Sequence, residues 1–214
     1  MTDYKKEKYW SKFANTFDEE QKYIVGEAVQ QAVIERLSRE SDLGTLVEFG
    51  CGAGFYTKVL AENASHITAT DLSDEMLAVA ITQLKDRQNV VVEKADCEKT
   101  DFPEGKFNSV FMANLVHIIE NPSAALQESY RILEDGGLLL VVSYTGYGMK
   151  WFEMMKLGIR FLRKWGKPSA HSKGKLSPDE LRSLVENAGF QVEELQLLGD
   201  RVKALYLKGR KRLR

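Results

Sequence analysis

The chain has 214 residues, of which 43% are hydrophobic and 29% charged, and its formal net charge is −1. This composition excludes a disordered or low-complexity chain, and no apolar run approaches the ~20 residues of a membrane span. Ten charges in the first 22 residues argue against a signal peptide, so we expect a cytoplasmic protein. Two cysteines and three histidines are too few for a disulfide framework or a spaced zinc cluster, and no metal site is predicted.

Helical and strand-like patterns alternate along the first two thirds of the chain. A helix is predicted first, over Gln21–Arg39, where apolar residues recur at three- and four-residue steps. The predicted strands that follow are Thr45–Phe49, Ile67–Asp71, Val90–Lys94, Asn108–Ala113 and Leu138–Ser143. The predicted helices among them are Phe55–Asn63, Asp74–Lys85 and Pro122–Ile132, and a turn at Asp135–Gly137 precedes the fifth strand. This alternation predicts parallel strands joined by right-handed crossovers.

The C-terminal region changes character. Ser177–Glu180 has the sequence of a capping box with proline at the first helical position, and Gly189 is placed to end that helix. The β-rich runs Phe190–Leu198 and Val202–Lys208 then flank a short connection that begins with Gly199. They predict a hairpin, and therefore an antiparallel pair that closes one edge of the sheet. No internal repeat or linker is visible, so 1–214 is expected to form one domain.

Charge is distributed unevenly. Gly146–Lys175 contains eight Lys or Arg residues and one acid, a local charge of +7, and Lys208–Arg214 adds five more basic residues. The rest of the chain therefore carries −1 − 7 − 5 = −13. Two basic surfaces on an acidic body would suit a negatively charged partner. The alternative is a set of solvated charges that bind nothing.

A glycine-rich loop, Glu48–Gly54, joins the first strand to the following helix. Glycines at such a position allow a tight turn and let a ligand lie directly on the main chain. A dinucleotide fingerprint, G-x-G-x-x-G, would need its third glycine where Phe55 stands, but the third glycine is Gly54. The spacing therefore argues against NAD, and a simple strand-to-helix turn remains an alternative.

Two acidic residues follow the next two strands. Asp71 ends the second strand, where a carboxylate in this topology accepts hydrogen bonds from ribose hydroxyls. It could instead cap the helix that begins near Asp74, although Ser73 could do so itself. Asp96 lies just beyond the third strand and could accept a hydrogen bond from an adenine amino group, or it could be a surface turn residue.

In this order, the motifs from Thr45 to Ser143 resemble those of the class I S-adenosylmethionine-dependent methyltransferases, particularly the small-molecule, type 11-like family. The resemblance implies S-adenosylmethionine as cofactor and S-adenosylhomocysteine as product. It implies a Rossmann-like, doubly wound α/β fold with a seven-stranded, mostly parallel sheet, an antiparallel C-terminal hairpin and helices on both faces. The residues it assigns to cofactor binding are Glu48, Gly50, Cys51, Gly52, Gly54, Asp71, Leu72, Asp96, Cys97, Asn114 and Leu115.

The chain departs from the family pattern at two points. Glu134-Asp135 replaces the Lys-Pro pair that usually precedes the glycines of the turn into strand five, a structural position. Ile118 stands where a second histidine often follows His117. His117 is the candidate general base, with activity expected to fall near the ordinary imidazole pKa of ~6.5, and the alternative is a structural histidine. Cys51 and Cys97 have no partner base and are interpreted as small loop residues.

Two segments outside the central motifs are candidates for substrate contact. Residues 1–40 are expected to form an N-terminal helical cap, in which Trp10 and Phe17 either cover the cofactor or pack the cap onto the body. Residues 144–176 form a basic amphipathic insertion, with a helix predicted over Trp151–Lys167 at the carboxyl ends of the strands. Trp151 and Phe152 are its candidate substrate contacts. The basic residues of this helix, Lys156, Arg160, Arg163, Lys164 and Lys167, either associate peripherally with an anionic membrane or only face water.

The favoured hypothesis is methyl transfer to a small-molecule or lipid-like acceptor by in-line displacement. One alternative is an inactive protein that binds S-adenosylmethionine. Another is a methyltransferase that acts on nucleic acid, recruited by the basic segments. The chain lacks an Asn/Asp-Pro-Pro-aromatic tetrapeptide of the kind seen in amino-directed enzymes of this fold, which disfavours nucleic acid as a partner. Neither the acceptor nor the oligomeric state is indicated by the sequence.

Overall fold

Alternating helices and strands build the chain in the computed structural model, which describes residues 9–167 and 175–213. After a short helical segment at residues 9–11, the helices of the described part are α1 (Phe17–Val25), α2 (Glu27–Leu37), α3 (Phe55–Leu60), α4 (Asp74–Leu84), α5 (Pro122–Ile132), α6 (Trp151–Trp165) and α7 (Pro178–Asn187). The strands are β1 (Thr45–Phe49), β2 (His66–Asp71), β3 (Val90–Lys94), β4 (Phe107–Ala113), β5 (Leu133–Thr145), β6 (Gln191–Leu198) and β7 (Lys203–Arg210).

The strands form one seven-stranded sheet in the order β3-β2-β1-β4-β5-β7-β6. Pairings among β1 to β5 are parallel, whereas β7 is antiparallel to both β5 and β6. The predicted doubly wound sheet with an antiparallel C-terminal hairpin is therefore confirmed. The chain order reverses direction between β1 and β4, and ligands of open α/β sheets bind at the carboxyl ends of the strands beside such a reversal.

Apolar side chains alternate between the two faces of the sheet and build a core on each. Leu138 and Leu140 of β5 belong to one core with α2, α3 and α4, while Leu139 and Val141 belong to the other with α5 and α7. Such alternation buries both faces of a strand, which explains the continuous apolar run in β5. The two cores fix the strand ends from which the candidate site is built.

Local predictions differ from the structure at two places. The predicted helix Gln21–Arg39 is two helices, because Gly26 adopts φ 91° and ψ 150°, which interrupts the helical backbone. The predicted turn at Asp135–Gly137 lies within β5, where Gly136 has φ 77°. Main-chain hydrogen bonds with Lys211 on both sides of this segment keep it in the sheet: Gly136 N donates to Lys211 O (3.1 Å) and Lys211 N donates to Gly137 O (2.9 Å).

The C-terminal capping box matches its prediction. The Ser177 hydroxyl accepts from Glu180 N, and the Glu180 carboxylate accepts from Ser177 N (2.8 Å). These contacts satisfy donors at the start of α7, which have no partner within the helix.

The C-terminal basic segment is used by the fold itself. Lys208 donates to the buried Glu40 carboxylate (2.8 Å), which also accepts from Arg36 and Tyr206 (2.5 Å each). Lys211 is 3% exposed and donates to a main-chain carbonyl of β5. Although burial alone would raise the pKa of Glu40, these hydrogen bonds lower it below its ordinary value. The expectation of a second basic surface is therefore wrong for Lys208 and Lys211, because these side chains join β7 to the body.

Candidate functional site

A cavity of about 280 Å³ lies at the carboxyl ends of β1, β2, β4 and β5. One side, here called the sheet wall, consists of the loops that follow these strands. The other side, here called the helical wall, consists of the N-terminal segment at residues 9–11, α1 and α6. The residues of these two walls that carry the arguments below are Glu48, Gly50, Gly52, Asp71, Asn114 and His117 in the sheet wall, and Trp10, Phe17, Asp18, Leu157, Phe161 and Trp165 in the helical wall.

The glycine loop presents bare main chain to the cavity. Gly50 and Gly52 line it and have φ angles of 70° and 54°, a conformation that L side chains rarely adopt. A Cβ at Gly50 would lie 3.0 Å from Leu115, so a side chain there would crowd the wall. Cys51 N donates to Thr70 O (2.9 Å) and ties the loop to the end of β2. The loop is therefore a fixed cradle against which a ligand can lie closely.

Gly54 has a different role from its two neighbours. It does not line the cavity, although the sequence assigned it to cofactor binding. Its φ is 87°, and a Cβ there would lie 2.8 Å from the buried Leu84. A glycine is therefore required where α3 begins and packs against α4, and the assignment of Gly54 to cofactor binding stays a prediction.

Glu48 is enclosed at the end of β1 and lines the cavity. Its carboxylate accepts a hydrogen bond from the Thr57 hydroxyl (2.6 Å) in α3. Burial raises the pKa of Glu48 to about 7 against the opposing effect of the Thr57 bond, and the nearby charge of Asp71 adds to the rise. A carboxyl group with this pKa can hold or release its proton near neutral pH.

Asp71 is held in the sheet wall by two main-chain donors. Its Oδ2 accepts from Gly52 N (3.0 Å) and its Oδ1 accepts from Ser73 N (2.9 Å). Capping of α4 falls to Ser73, whose hydroxyl accepts from Met76 N (3.2 Å). Because each carboxylate oxygen has two lone pairs, either oxygen of Asp71 can accept a hydrogen bond from a ligand hydroxyl. Leu72, which follows Asp71, also lines the cavity.

The loop after β4 adds polar groups to the sheet wall. Asn114 has φ 56°, and its side-chain Oδ1 accepts from Tyr144 N (2.9 Å), which joins the ends of β4 and β5. Leu115 and His117 line the cavity beside it. His117 Nδ1 lies 2.7 Å from the Ser143 hydroxyl.

Burial lowers the pKa of His117 to about 4, because a charged imidazolium loses its hydration inside the cavity. The sequence placed the acid limb of activity near pH 6.5, whereas the buried ring stays neutral well below that value. His117 is therefore neutral throughout the neutral range, which is the form that a general base needs, and its low pKa makes it a weak base.

The segment after β3 reaches the cavity through Ala95 and Cys97 but not through Asp96. Asp96 Oδ1 accepts from Glu98 N (2.9 Å), so its side chain closes a turn. This turn does not test the assignment of Asp96 to an adenine contact, which stays a prediction. Burial raises the pKa of both Cys51 and Cys97, which keeps them as thiols and fits their interpretation as small loop residues.

Aromatic side chains join the N-terminal segment to α6 in the helical wall. Phe17 stacks on Trp165 with centroids 5.3 Å apart, and Trp10 meets the same ring edge-on at 5.2 Å. Tyr9 donates to the Trp165 carbonyl (2.8 Å), while Trp165 Nε1 donates to Glu20 (2.8 Å). Trp10 and Phe17 thus line the cavity and pack the N-terminal segment at the same time.

Trp151 and Phe152, the candidate substrate contacts of the insertion, do not line the cavity. Leu157, Phe161 and Trp165 do so instead, at four-residue steps toward the C-terminal end of α6. Trp151 lies at the other end of the helix and is 72% exposed. The reason is positional, because α1 contacts the later turns of α6 through pairs such as Phe17–Trp165 and Glu20–Lys164. Residues 168–174 of the predicted insertion lie outside the described residues.

Several lining residues escaped the sequence interpretation. Asp18 lies in the first turn of α1, and its Oδ1 is buried with no hydrogen-bond partner among the described residues, while burial raises the pKa of its carboxyl group. Tyr56 and Tyr144 share a hydrogen bond (2.7 Å), and burial raises the pKa of Tyr56 to about 12. The sequence indicates these residues only by their position next to other candidates. Asp18 follows Phe17, Tyr56 comes shortly after the glycine loop, and Tyr144 follows the predicted strand Leu138–Ser143.

The described residues contain no cluster of three or more His, Cys, Asp or Glu side chains that could hold a metal ion. Within the same part of the chain, no helix is both long enough and apolar enough to cross a membrane.

Comparisons with known proteins fit this fold and cavity. A family model described as a methyltransferase domain matches residues 47–141. A ubiquinone biosynthesis O-methyltransferase from Caulobacter sp. (strain K31) is 24% identical over 73% of this chain and 66% of its own length. A malonyl-[acyl-carrier protein] O-methyltransferase from Paenibacillus sp. (strain JDR-2) is 28% identical over 75% of this chain and 60% of its own length. These matches therefore span less than two thirds of the length of either curated relative.

A solved SAM-dependent methyltransferase from Aquifex aeolicus shares the fold, with a TM-score of 0.69 and 18% identity over 94% of this chain and 97% of the other. Fold and cavity position define an α/β protein of the doubly wound class, with a cavity at the strand ends where such folds bind ligands. By the family-model match over residues 47–141 and the two relatives, the chain is similar to class I S-adenosylmethionine-dependent methyltransferases.

Proposed function

We propose that the chain binds S-adenosylmethionine in the cavity and transfers its methyl group to a small-molecule or lipid-like acceptor, leaving S-adenosylhomocysteine. The observation that carries this proposal is the sheet wall. It places a bare glycine cradle between two fixed carboxyl groups, Glu48 and Asp71, at the strand ends where such folds bind nucleosides. The residues proposed to bind the cofactor are Glu48, Gly50, Cys51, Gly52, Asp71, Leu72, Cys97, Asn114 and Leu115.

The charges of the cavity suit this cofactor. S-adenosylmethionine carries a positive sulfonium and an ammonium group, and the cavity is lined by three acids, Asp18, Glu48 and Asp71. The buried Oδ1 of Asp18 has no donor among the described residues, and a buried acceptor without a partner is costly. A cationic ligand would compensate Asp18. Asp71 is the proposed acceptor for the ribose hydroxyls.

When bound, the cofactor supplies an electrophilic methyl group, and the residues of this chain orient the reactants. An acceptor hydroxyl must also lose a proton. His117 is the proposed base, since its ring lines the cavity and stays neutral above a pKa of about 4. The 2.7 Å contact between Ser143 and Nδ1 would fix the ring orientation.

The helical wall favours an apolar acceptor. Leu157, Phe161 and Trp165 face the cavity from α6, and Ile118 and Ile119 line it from the loop after β4. An apolar wall with few polar groups selects acceptors by shape and hydrophobic burial. The two curated relatives are named for ubiquinone biosynthesis and for a malonyl-acyl-carrier substrate, and both names denote O-methyl transfer. We infer an apolar acceptor that carries a hydroxyl or carboxyl oxygen.

Transfer of a labelled methyl group tests the proposal. The chain is incubated with methyl-labelled S-adenosylmethionine and a cell extract divided into organic-soluble, aqueous small-molecule, protein and nucleic-acid fractions. We expect label in the organic-soluble fraction and none with His117→Ala. Label confined to protein or nucleic acid would contradict the acceptor class, and cofactor binding without transfer to any fraction would leave an inactive binding protein.

A further inference from the structure

Helix α6 carries a second apolar row that does not face the cavity. It consists of Trp151, Met155, Ile159 and Leu162, whose exposed fractions range from 43% to 72%. At 3.6 residues per turn these four positions fall within about 80° of one another around the helix axis. Folding therefore leaves a row of four large apolar side chains in water, here called the exposed row.

A basic row runs beside the exposed row on the same helix. Lys156, Arg163 and Lys164 are exposed, and Arg160 is half-buried near the Tyr23 ring. Residues 150–167 contain six Lys or Arg residues and one acid, Glu153, which lies 3.7 Å from Lys156. The first turn of α1 contains Asp18, Glu19 and Glu20, of which Glu20 lies 3.6 Å from Lys164. The surface around the exposed row therefore keeps a clear positive charge.

This arrangement differs from that of the C-terminal basic residues. Lys208 and Arg210 donate to Glu40 and Glu193, so their charge is matched within the fold. On α6, the positive charge accompanies apolar side chains that the body does not cover. Contiguous exposed apolar surface in a monomer marks an interaction site, and the adjacent charge indicates the sign of the partner.

We propose that α6 docks on the surface of an anionic lipid bilayer. The exposed row would enter the boundary between headgroups and acyl chains, with the basic row at the level of the lipid phosphates. Nucleic acid would engage the basic row but leave the exposed row in water. A second copy of the chain would bring like charges together across a two-fold contact. An anionic bilayer can contact the exposed row and the basic row at the same time.

Docking would also serve the cavity. A second face of the same helix, centred about 120° around the axis from the exposed row, carries Leu157, Phe161 and Trp165 in the cavity wall. A bilayer-bound α6 would therefore hold the cavity next to the phase in which an apolar acceptor dissolves. This part of the inference rests on the proposed function, whereas the docking itself does not.

Vesicle sedimentation tests the docking. The chain is mixed with vesicles of phosphatidylcholine alone or of phosphatidylcholine with phosphatidylglycerol, at low and high salt. We expect binding to the anionic vesicles alone, weakened by salt. Ile159→Ser should reduce the partition coefficient about tenfold, the value of one buried aliphatic side chain. The matched control is Ile81→Ser, an isoleucine that is 55% exposed on α4 and should have no effect.

A second pair of variants tests the charge. Lys156→Glu with Arg163→Glu should reduce partitioning to anionic vesicles more than about tenfold, because each basic residue near the surface contributes substantially. Lys85→Glu with Arg39→Glu makes the same charge change at exposed positions away from α6 and should leave partitioning within about twofold, the small effect of distant charges at moderate salt.

Three outcomes would overturn the proposal. These are failure of the wild-type chain to bind anionic vesicles, retention by an RNA column that α6 variants abolish, and a dimer in sedimentation velocity that Ile159→Ser dissociates. Calorimetry with S-adenosylmethionine separates this proposal from the proposed function. Cofactor binding without vesicle binding overturns the docking alone, while vesicle binding without cofactor binding overturns the proposed function alone.

Discussion

The two walls of the cavity are built on different physical principles. The sheet wall consists of short loops whose polar groups are fixed by main-chain hydrogen bonds, as where Gly52 N and Ser73 N hold Asp71. The helical wall consists of large apolar side chains fixed by packing, as where Phe17 stacks on Trp165. Hydrogen-bonding groups held in fixed directions suit a ligand whose structure does not vary. A packed aromatic surface suits ligands whose structures differ from one another. We therefore propose that the cofactor lies on the sheet wall and reaches Asp18 of the helical wall with its cationic groups, whereas the acceptor contacts the apolar side chains of α6.

Removing His117 should produce the largest effect on catalysis. We expect His117→Ala to lower kcat by about 10²–10⁴-fold, the usual contribution of a general base. Cofactor affinity should change little, which separates proton transfer from binding. In the wild type, kcat at saturating S-adenosylmethionine should stay level from pH 8 to pH 5.5, because the pKa of His117 is about 4. Normal kcat in the variant would identify His117 as a packing residue, and a fall of kcat near pH 6.5 at saturating cofactor would contradict the lowered pKa of the ring.

The next largest effect should come from Asp71. Asp71→Ala removes a charged hydrogen-bond acceptor and should weaken S-adenosylmethionine binding by about 1.5–3 kcal/mol. Isothermal calorimetry measures the change, and Ser73→Ala serves as a control because it removes the α4 cap without removing the carboxylate. Equal affinity in the wild type and Asp71→Ala would contradict the ribose assignment.

A change in the helical wall should act on the acceptor alone. Leu157→Ala shortens an apolar side chain that lines the cavity and should raise the acceptor KM about tenfold, the value of a buried leucine contact. Met155→Ala removes a similar side chain from the exposed face of the same helix and should leave KM for a soluble acceptor unchanged. A weaker cofactor affinity in Leu157→Ala with an unchanged acceptor KM would contradict the division between the walls.

The smallest effect concerns pH and Glu48. Because the pKa of Glu48 is about 7, its carboxyl group is mostly protonated at pH 6 and mostly ionised at pH 8. A cationic ligand binds the ionised form better, so S-adenosylmethionine should bind several-fold more tightly at pH 8 than at pH 6. Without ligand, rising pH affects folding stability in the opposite direction, because Glu48 in the folded state retains a proton that it has lost in the unfolded state. Glu48 should therefore lower stability as pH rises from about 4.5 to about 7.

Glu48→Gln tests both trends. Calorimetric titrations between pH 5.5 and pH 8 should show that cofactor affinity depends less on pH in the variant than in the wild type. Thermal melts over the same range should show that stability also depends less on pH. Because His117 titrates near pH 4, it should not contribute in this range. A Glu48→Gln variant that keeps the full pH dependence of cofactor affinity would exclude Glu48 as its source.

The sheet wall was accessible to sequence reasoning because its residues come directly after strands. A strand end is marked by a local change in pattern, and the carboxyl ends of parallel strands share one edge, so Glu48, Asp71 and Asn114 could be grouped without coordinates. Asp96 shows the limit of this reasoning, because a place after a strand does not fix the direction of a side chain. Its Oδ1 accepts from Glu98 N, and its adenine contact stays a prediction.

The helical wall was less accessible because helical periodicity identifies a face but not which end of a helix meets the body. Trp151 and Trp165 lie within about 40° of each other around the α6 axis. Yet Trp165 is buried under the N-terminal segment, while Trp151 is 72% exposed. Asp18 was missed for a related reason, since nothing in the local pattern shows that α1 turns its first residues toward the cavity.

Calorimetric titration of the wild-type chain with S-adenosylmethionine tests the central claim most directly. The account predicts saturable binding at one site per chain, competition by S-adenosylhomocysteine, and no binding of NADH, because the glycine loop lacks the dinucleotide spacing. The Asp71→Ala chain, titrated in parallel and shown to be folded by its melting curve, should bind more weakly. Binding of NADH with no response to S-adenosylmethionine would contradict the account.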